Sequence, residues 1–168
     1  MAEITLLERR RVEAEILKEV FSALTEELGK GKAEKILLET AKRAARRAGE
    51  AEAAKENGET GPRSLARVQE LWKRGGALDA RVLRLDDDHF HYEVVRCGYH
   101  EMYKELGMED LGYILSCSRD SAFVEGYAPE LILERESTIM RGGEAAFSST
   151  AGRGNEGAPR RIRGKTPG

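Results

Sequence analysis

Cys117 and Asp120 stand three residues apart in a segment with helical spacing, which puts a thiol and a carboxylate on one face. Tyr113, one turn before Cys117, would add a phenol to that face. A thiol can attack an electrophilic carbon once its proton leaves, and a nearby carboxylate can hold or move that proton. Cys97 is the other thiol. It falls where a strand pattern gives way to a helix pattern, and helix N-termini lower thiol pKa values because backbone N–H groups stabilise the thiolate. Arg135 lies in an apolar row with Leu131, Leu133, Ser137 and Ile139. A half-buried guanidinium wants an anion, either an internal carboxylate such as Asp120 or a substrate carboxylate. Cysteines are also common core residues, and burial alone is the competing account of both.

The elements that must position these groups change character along the chain. Val12, Ile16, Val20, Leu24 and Leu28 recur every four residues, with Leu17 and Phe21 widening the stripe, so the first segment reads as a helix. Gly29-Lys30-Gly31 stops it. A second helix starts near Lys32 and carries Ile36, Leu37, Ala41, Ala44, Ala45 and Ala48, whose small size permits close helix packing. Its Lys42, Arg43, Arg46 and Arg47 read as a solvated face, because acids crowd the same helix. Ser64 reads as the N-cap of a short helix to about Arg74, with Leu65, Val68, Leu71 and Trp72 inward.

From Ala77 the period becomes two. Residues 77–85 and 89–96 read as strands around a turn at Asp86-Asp87-Asp88. Phe90, Tyr92 and Val94 share one face of the second strand. His89, His91 and Glu93 share the other, and the two histidines read as a solvent-facing pair. A short helix follows Gly98, and another runs from Glu109 or Asp110 to about Glu125. Residues 131–140 read as a long strand and 145–149 as a weak return strand. The fold class is α+β: an N-terminal helical arm (1–60), then an antiparallel sheet packed with helices (61–150). Residues 151–168 hold five basic residues against one acid and little apolar surface, and are expected to be a disordered tail.

The 168 residues suit one domain. A net charge of −2 offers no general attraction to nucleic acid or to a membrane surface, and neither is expected as a partner. No apolar run approaches a membrane span, and the N-terminus lacks a signal-peptide core. Two cysteines make no disulfide framework, so a reducing cytoplasm is the expected location. No phosphate loop, dinucleotide fingerprint or zinc-protease motif occurs, and neither a cofactor nor a resident metal is expected. A site built from Cys97, Cys117 and a histidine is the alternative that would need a metal. The N-terminal helices must bury their apolar faces somewhere, which suggests a homo-oligomer.

The segments Arg96-Cys97-Gly98-Tyr99-His100-Glu101-Met102-Tyr103, Leu111-Gly112-Tyr113 and Ser116-Cys117-Ser118-Arg119-Asp120 carry a likeness. So do Glu125-Gly126-Tyr127-Ala128-Pro129 and Leu133-Glu134-Arg135. Together they resemble the L-2-amino-thiazoline-4-carboxylic acid hydrolase family, over roughly residues 8–147. That family is similar in pattern to small-molecule-binding 4-vinyl reductase domains, and a non-catalytic sensor of that type is the alternative function. The resemblance implies a small-molecule substrate and hydrolytic opening of a cyclic amidine to a carbamoyl-cysteine. It suggests Cys117 or Cys97 as nucleophile and Asp120 as acid/base. It also suggests Arg96 or Arg135 against the substrate carboxylate, with Tyr99 and Glu101 orienting that shell. One departure stands out. Where the family carries a Cys-Asp-Phe-like segment, this chain has Ala145-Ala146-Phe147, so a third cysteine is absent.

Overall fold

In the computed structural model, residues 4–57 and 59–152 are described. The tail expected to be disordered lies outside them from residue 153 onward. Thr5 caps the first helix, α1 (Leu6–Leu28). Its hydroxyl accepts from the Glu8 N–H, and the Glu8 carboxylate accepts from the Thr5 N–H. Gly29, at φ 81°, turns the chain directly into α2 (Lys30–Ala53), and glycine takes such a φ without a Cβ clash.

The outward and inward faces of α1 are not the ones the four-residue stripe suggests. Leu6, Leu7, Leu17 and Phe21 pack on the core, whereas Val12, Ile16 and Val20 are 59%, 65% and 42% exposed. On α2 the buried row is Ala33, Leu37, Ala41, Ala45 and Gly49, and Ile36 is exposed. This small-residue row lets α2 lie tight along α6 (Ser118–Tyr127). A Cβ on Gly49 would stand 2.2 Å from the Phe123 carbonyl oxygen, and one on Gly126 would stand 2.1 Å from that of Arg46. The two helices therefore meet backbone to backbone, and the close approach holds α6 in place.

The third helix, α3, covers Pro62–Lys73. Ser64 is not its N-cap; it sits in the first turn, and its Oγ accepts from the Gly61 N–H at 2.9 Å. Proline explains the earlier start, since its fixed φ suits a first helical position. The hairpin β1 (Leu78–Leu85) and β2 (His89–Cys97) follows as expected. Its turn is closed by Asp86, whose Oδ1 accepts from the N–H groups of Asp88 and His89. His89 is not solvent-facing: it is buried, with Nδ1 3.1 Å from Asp86 Oδ1. The turn carboxylate folds back against the ring and screens it.

Next come α4 (Gly98–Glu105), α5 (Glu109–Gly112), a wide π-type turn at Tyr113–Cys117, and α6. Strand β3 ends at Arg135 (Leu131–Arg135), shorter than the strand expected over 131–140. Thr138 breaks it by capping a 3-10 turn at Ile139–Arg141, its Oγ1 accepting from the Arg141 N–H at 3.1 Å. The return strand β4 (Ala146–Gly152) closes the sheet. All pairings are antiparallel and the order is β1-β2-β4-β3. The architecture is α+β. One core cluster joins α1, α2, α4, α5 and the π turn, and the other joins α3, α6 and the sheet.

Candidate active site

Between these clusters lies a cavity of about 390 Å³, the size of a small-molecule pocket. Sheet residues Tyr92, Val94, Arg135, Ala146 and Ser148 line it, opposite groups from α1, α2, α3 and α6. Cys97, Cys117, Asp120, Arg135 and Tyr99 all line this one space. Trp72 also lines it, standing edge-on to Phe123 with ring centroids 5.3 Å apart.

Sheet register explains how Arg135 is held. Ser148 on β4 is paired with Tyr92 on β2 and with Arg135 on β3, so the three stand in a row across the sheet. Arg135 Nε donates to Ser148 Oγ at 3.0 Å, Nη1 to the Cys117 carbonyl at 3.3 Å, and Nη2 to Asp120 Oδ2 at 2.7 Å. Burial works against the guanidinium's charge, but Asp120 outweighs it and raises the Arg135 pKa. Of the two anions the sequence allows for Arg135, the internal carboxylate is present, and it ties β3 to α6, which follows Cys117.

Cys117 ends the π turn. The wide turn changes the angular offset between positions 113 and 117. Cys117 and Asp120 line the cavity, while Tyr113 does not; its ring instead lies under Arg141, 3.3 Å from the guanidinium carbon. The phenol expected beside the thiol is thus directed elsewhere, because the segment is not a plain α-helix. Burial, reinforced by the charge of Asp120, pushes the Cys117 thiol up to about 12.

Cys97 is the residue before α4, and its Sγ accepts from the His100 N–H at 3.4 Å. This is the helix-terminus geometry expected to favour thiolate. Burial nevertheless dominates and raises the Cys97 pKa, against the pull of the His100 and Tyr99 N–H groups. Both thiols are therefore protonated at neutral pH. Tyr99 has its hydroxyl on the Trp72 carbonyl at 3.2 Å.

Arg96 and Glu101 do not line the cavity. They pair with each other at the surface, and Arg96 also donates to the Gly76 carbonyl at 2.8 Å. Plain alternation would put Arg96 on the face of Tyr92 and Val94, but β2 carries an extra residue against β1 between Val94 and Arg96, and this bulge resets the phase so that Cys97 takes the inward direction. Arg119 does line the cavity, along with Arg9 and Arg10 of α1. Arg119 sits inside the Cys-Ser-Arg-Asp motif, but helical spacing assigns it no partner, so sequence reading left it without a role. Among the described residues, the His, Cys, Asp and Glu groups close enough to share a metal are Asp86, Asp88 and His89 at the hairpin turn. Neither cysteine belongs to that set.

The fold is an α+β domain whose two thiols and one carboxylate line a single cavity. A profile of the L-2-amino-thiazoline-4-carboxylic acid hydrolase family matches residues 9–145, and the chain belongs to that family. Among solved structures, it is similar to the phenol-responsive sensory domain of the transcription activator PoxR, crystallised with phenol. The TM-score is 0.53 at 9% identity, covering 85% of this chain and 74% of that one, a likeness of fold. No curated protein sequence matches the chain. No described helix is long and apolar enough to cross a membrane.

Proposed function

We propose that the protein opens the ring of a 2-amino-thiazoline carboxylate by hydrolysis, giving a carbamoyl-cysteine. The observation that carries this reading is the convergence of Cys97, Cys117 and Asp120 on one cavity in a chain of this family. Protonation of the ring nitrogen makes the amidine carbon electrophilic. Sγ of Cys117 or Cys97 adds to that carbon, and its proton passes to Asp120. The ring carbon–nitrogen bond then breaks. Its electron pair stays on nitrogen, which takes the proton back and becomes the free amine. The carbon is left as an imidate between two sulfurs, one from the enzyme and one from the substrate. Water adds there, the enzyme's sulfur leaves with a proton, and an S-bound carbamoyl group remains. One water is consumed overall.

The cavity suits this chemistry because it buries the reacting atoms while keeping a fixed carboxylate beside the thiol. Arg135 orients that carboxylate through Asp120 Oδ2. The test is to incubate reduced protein with L-2-amino-thiazoline-4-carboxylate and follow ring opening by mass spectrometry. A carbamoyl-cysteine product is expected, and Cys117→Ser should abolish it. Undiminished turnover in that variant moves the nucleophile to Cys97, and loss in Cys97→Ser alone would confirm the move.

One observation favours a second reading, binding without turnover. Ala146 lines the cavity in the segment where the family carries its third cysteine. A folded protein that binds the compound and returns it unchanged would establish that reading.

A further inference from the structure

We propose that Arg119 is the anchor for the carboxylate of the cavity's ligand, and so determines selection for a small carboxylate-bearing molecule. This deepens the hydrolase reading and rests on it for the identity of the ring. The argument starts from what each cation of the cavity already holds. Arg135 has all three of its nitrogens on Ser148, the Cys117 carbonyl and Asp120. Arg10 pairs with Glu13, and Lys55 with Glu52. Arg9 is exposed on α1. Arg119 lines the cavity, is only partly exposed, and makes no hydrogen bond or ion pair with any described residue.

Its setting is costly for a charge that nothing answers. Burial and the like charge of Arg10 both weigh against the Arg119 guanidinium; Glu13, Tyr103 and Asp120 offset them only in part, and Glu13 is already engaged by Arg10 and Asp120 by Arg135. An arginine does not escape by losing its proton at neutral pH, so the charge stays, with no ion-pair partner of its own. A planar guanidinium with free donors matches a carboxylate in a two-point contact. Cys117, at the end of the π turn, comes just before Arg119 in the chain, and Asp120 follows it on α6. The cavity is therefore polarised, with a free cation at one place and a carboxylate at another. A ring bearing a carboxylate and an amidinium presents the complementary pair.

The experiment compares L-2-amino-thiazoline-4-carboxylate with 2-amino-2-thiazoline, the same ring without the acid. Affinities are read by calorimetry and turnover by mass spectrometry, for the wild-type chain, Arg119→Gln and Arg119→Lys. Wild type should bind the acid roughly tenfold or more tighter than the analogue, the span of one charge-assisted contact. Arg119→Gln should lose that preference while binding the analogue as before, and Arg119→Lys should keep part of it. The empty Arg119→Gln protein should melt no lower than wild type, because it removes an unanswered charge; a structural arginine would show the opposite. Equal preference in Arg119→Gln and wild type overturns the proposal, as does a wild type with no preference or one that binds neither compound. Arg119-dependent binding without product would instead leave the anchor standing and remove the hydrolase reading. Product formed without any dependence on Arg119 would do the reverse.

Discussion

At the scale of single residues, the cavity chemistry is governed by burial. Cys117 has its pKa pushed from an ordinary value near 9 to about 12. The folded state thus holds the proton longer than the unfolded state does. Between about pH 9 and 12 the unfolded chain binds fewer protons, so stability falls as pH rises through that window. Melting temperature should decline across it, and Cys117→Ser should flatten the decline. Alkylation of Cys117 by iodoacetamide should be slow at pH 7 and speed up about tenfold per pH unit, since the thiolate is the reactive form. Fast alkylation at neutral pH would mean that something in the cavity supplies a positive charge to the sulfur. Arg135 behaves differently from Arg119. Removing one partner of a buried, hydrogen-bonded pair leaves the other exposed to an apolar setting without its counterion. Arg135→Gln should therefore destabilise the fold by about 3 kcal/mol in urea unfolding.

At the scale of elements, α2 and α6 matter most. Their contact has no room for a side chain at Gly49 or Gly126, where a Cβ would collide with backbone oxygens rather than with a movable side chain. Gly126→Ala should cost about 3 kcal/mol or more, measured by urea unfolding, because two helix backbones must separate. If Gly126→Ala still folds, α6 shifts, and with it Cys117 and Asp120, so turnover should drop along with stability. A stable, fully active Gly126→Ala protein would show that the helices can slide without disturbing the cavity. The π turn before α6 is the other device at this scale. It sends Tyr113 to Arg141 and leaves the thiol and carboxylate together in the cavity.

At the scale of the whole molecule, α1 carries two apolar faces. One packs on the core; the other, with Val12, Ile16 and Val20, faces solvent. An antiparallel copy would cover the apolar stripe. Light scattering should report a dimer, converted to monomer by Ile16→Glu with the cavity intact. A wild-type monomer at high concentration would show that the stripe is only solvated.

Periodicity alone revealed much of this protein. The helix pair with its glycine stop, the Asp86 hairpin, the buried row Phe90, Tyr92 and Val94, and the α+β class all follow from local rules. Helical spacing and glycine chemistry act over a few residues and need no tertiary knowledge. Cys97, Cys117, Asp120 and Arg135 were legible as candidates because their types are rare or misplaced in their local pattern. What tertiary structure decided is who faces whom. Sheet register brought Ser148 to Arg135, and a bulge in β2 before Arg96 turned it outward to Glu101. A π turn parted Tyr113 from Cys117, and burial raised a thiol that its helix end would otherwise lower. Arg119 stayed hidden for the same reason. An arginine in a charged, helical stretch looks solvated until the fold closes around it, and the missing counterion exists only in three dimensions.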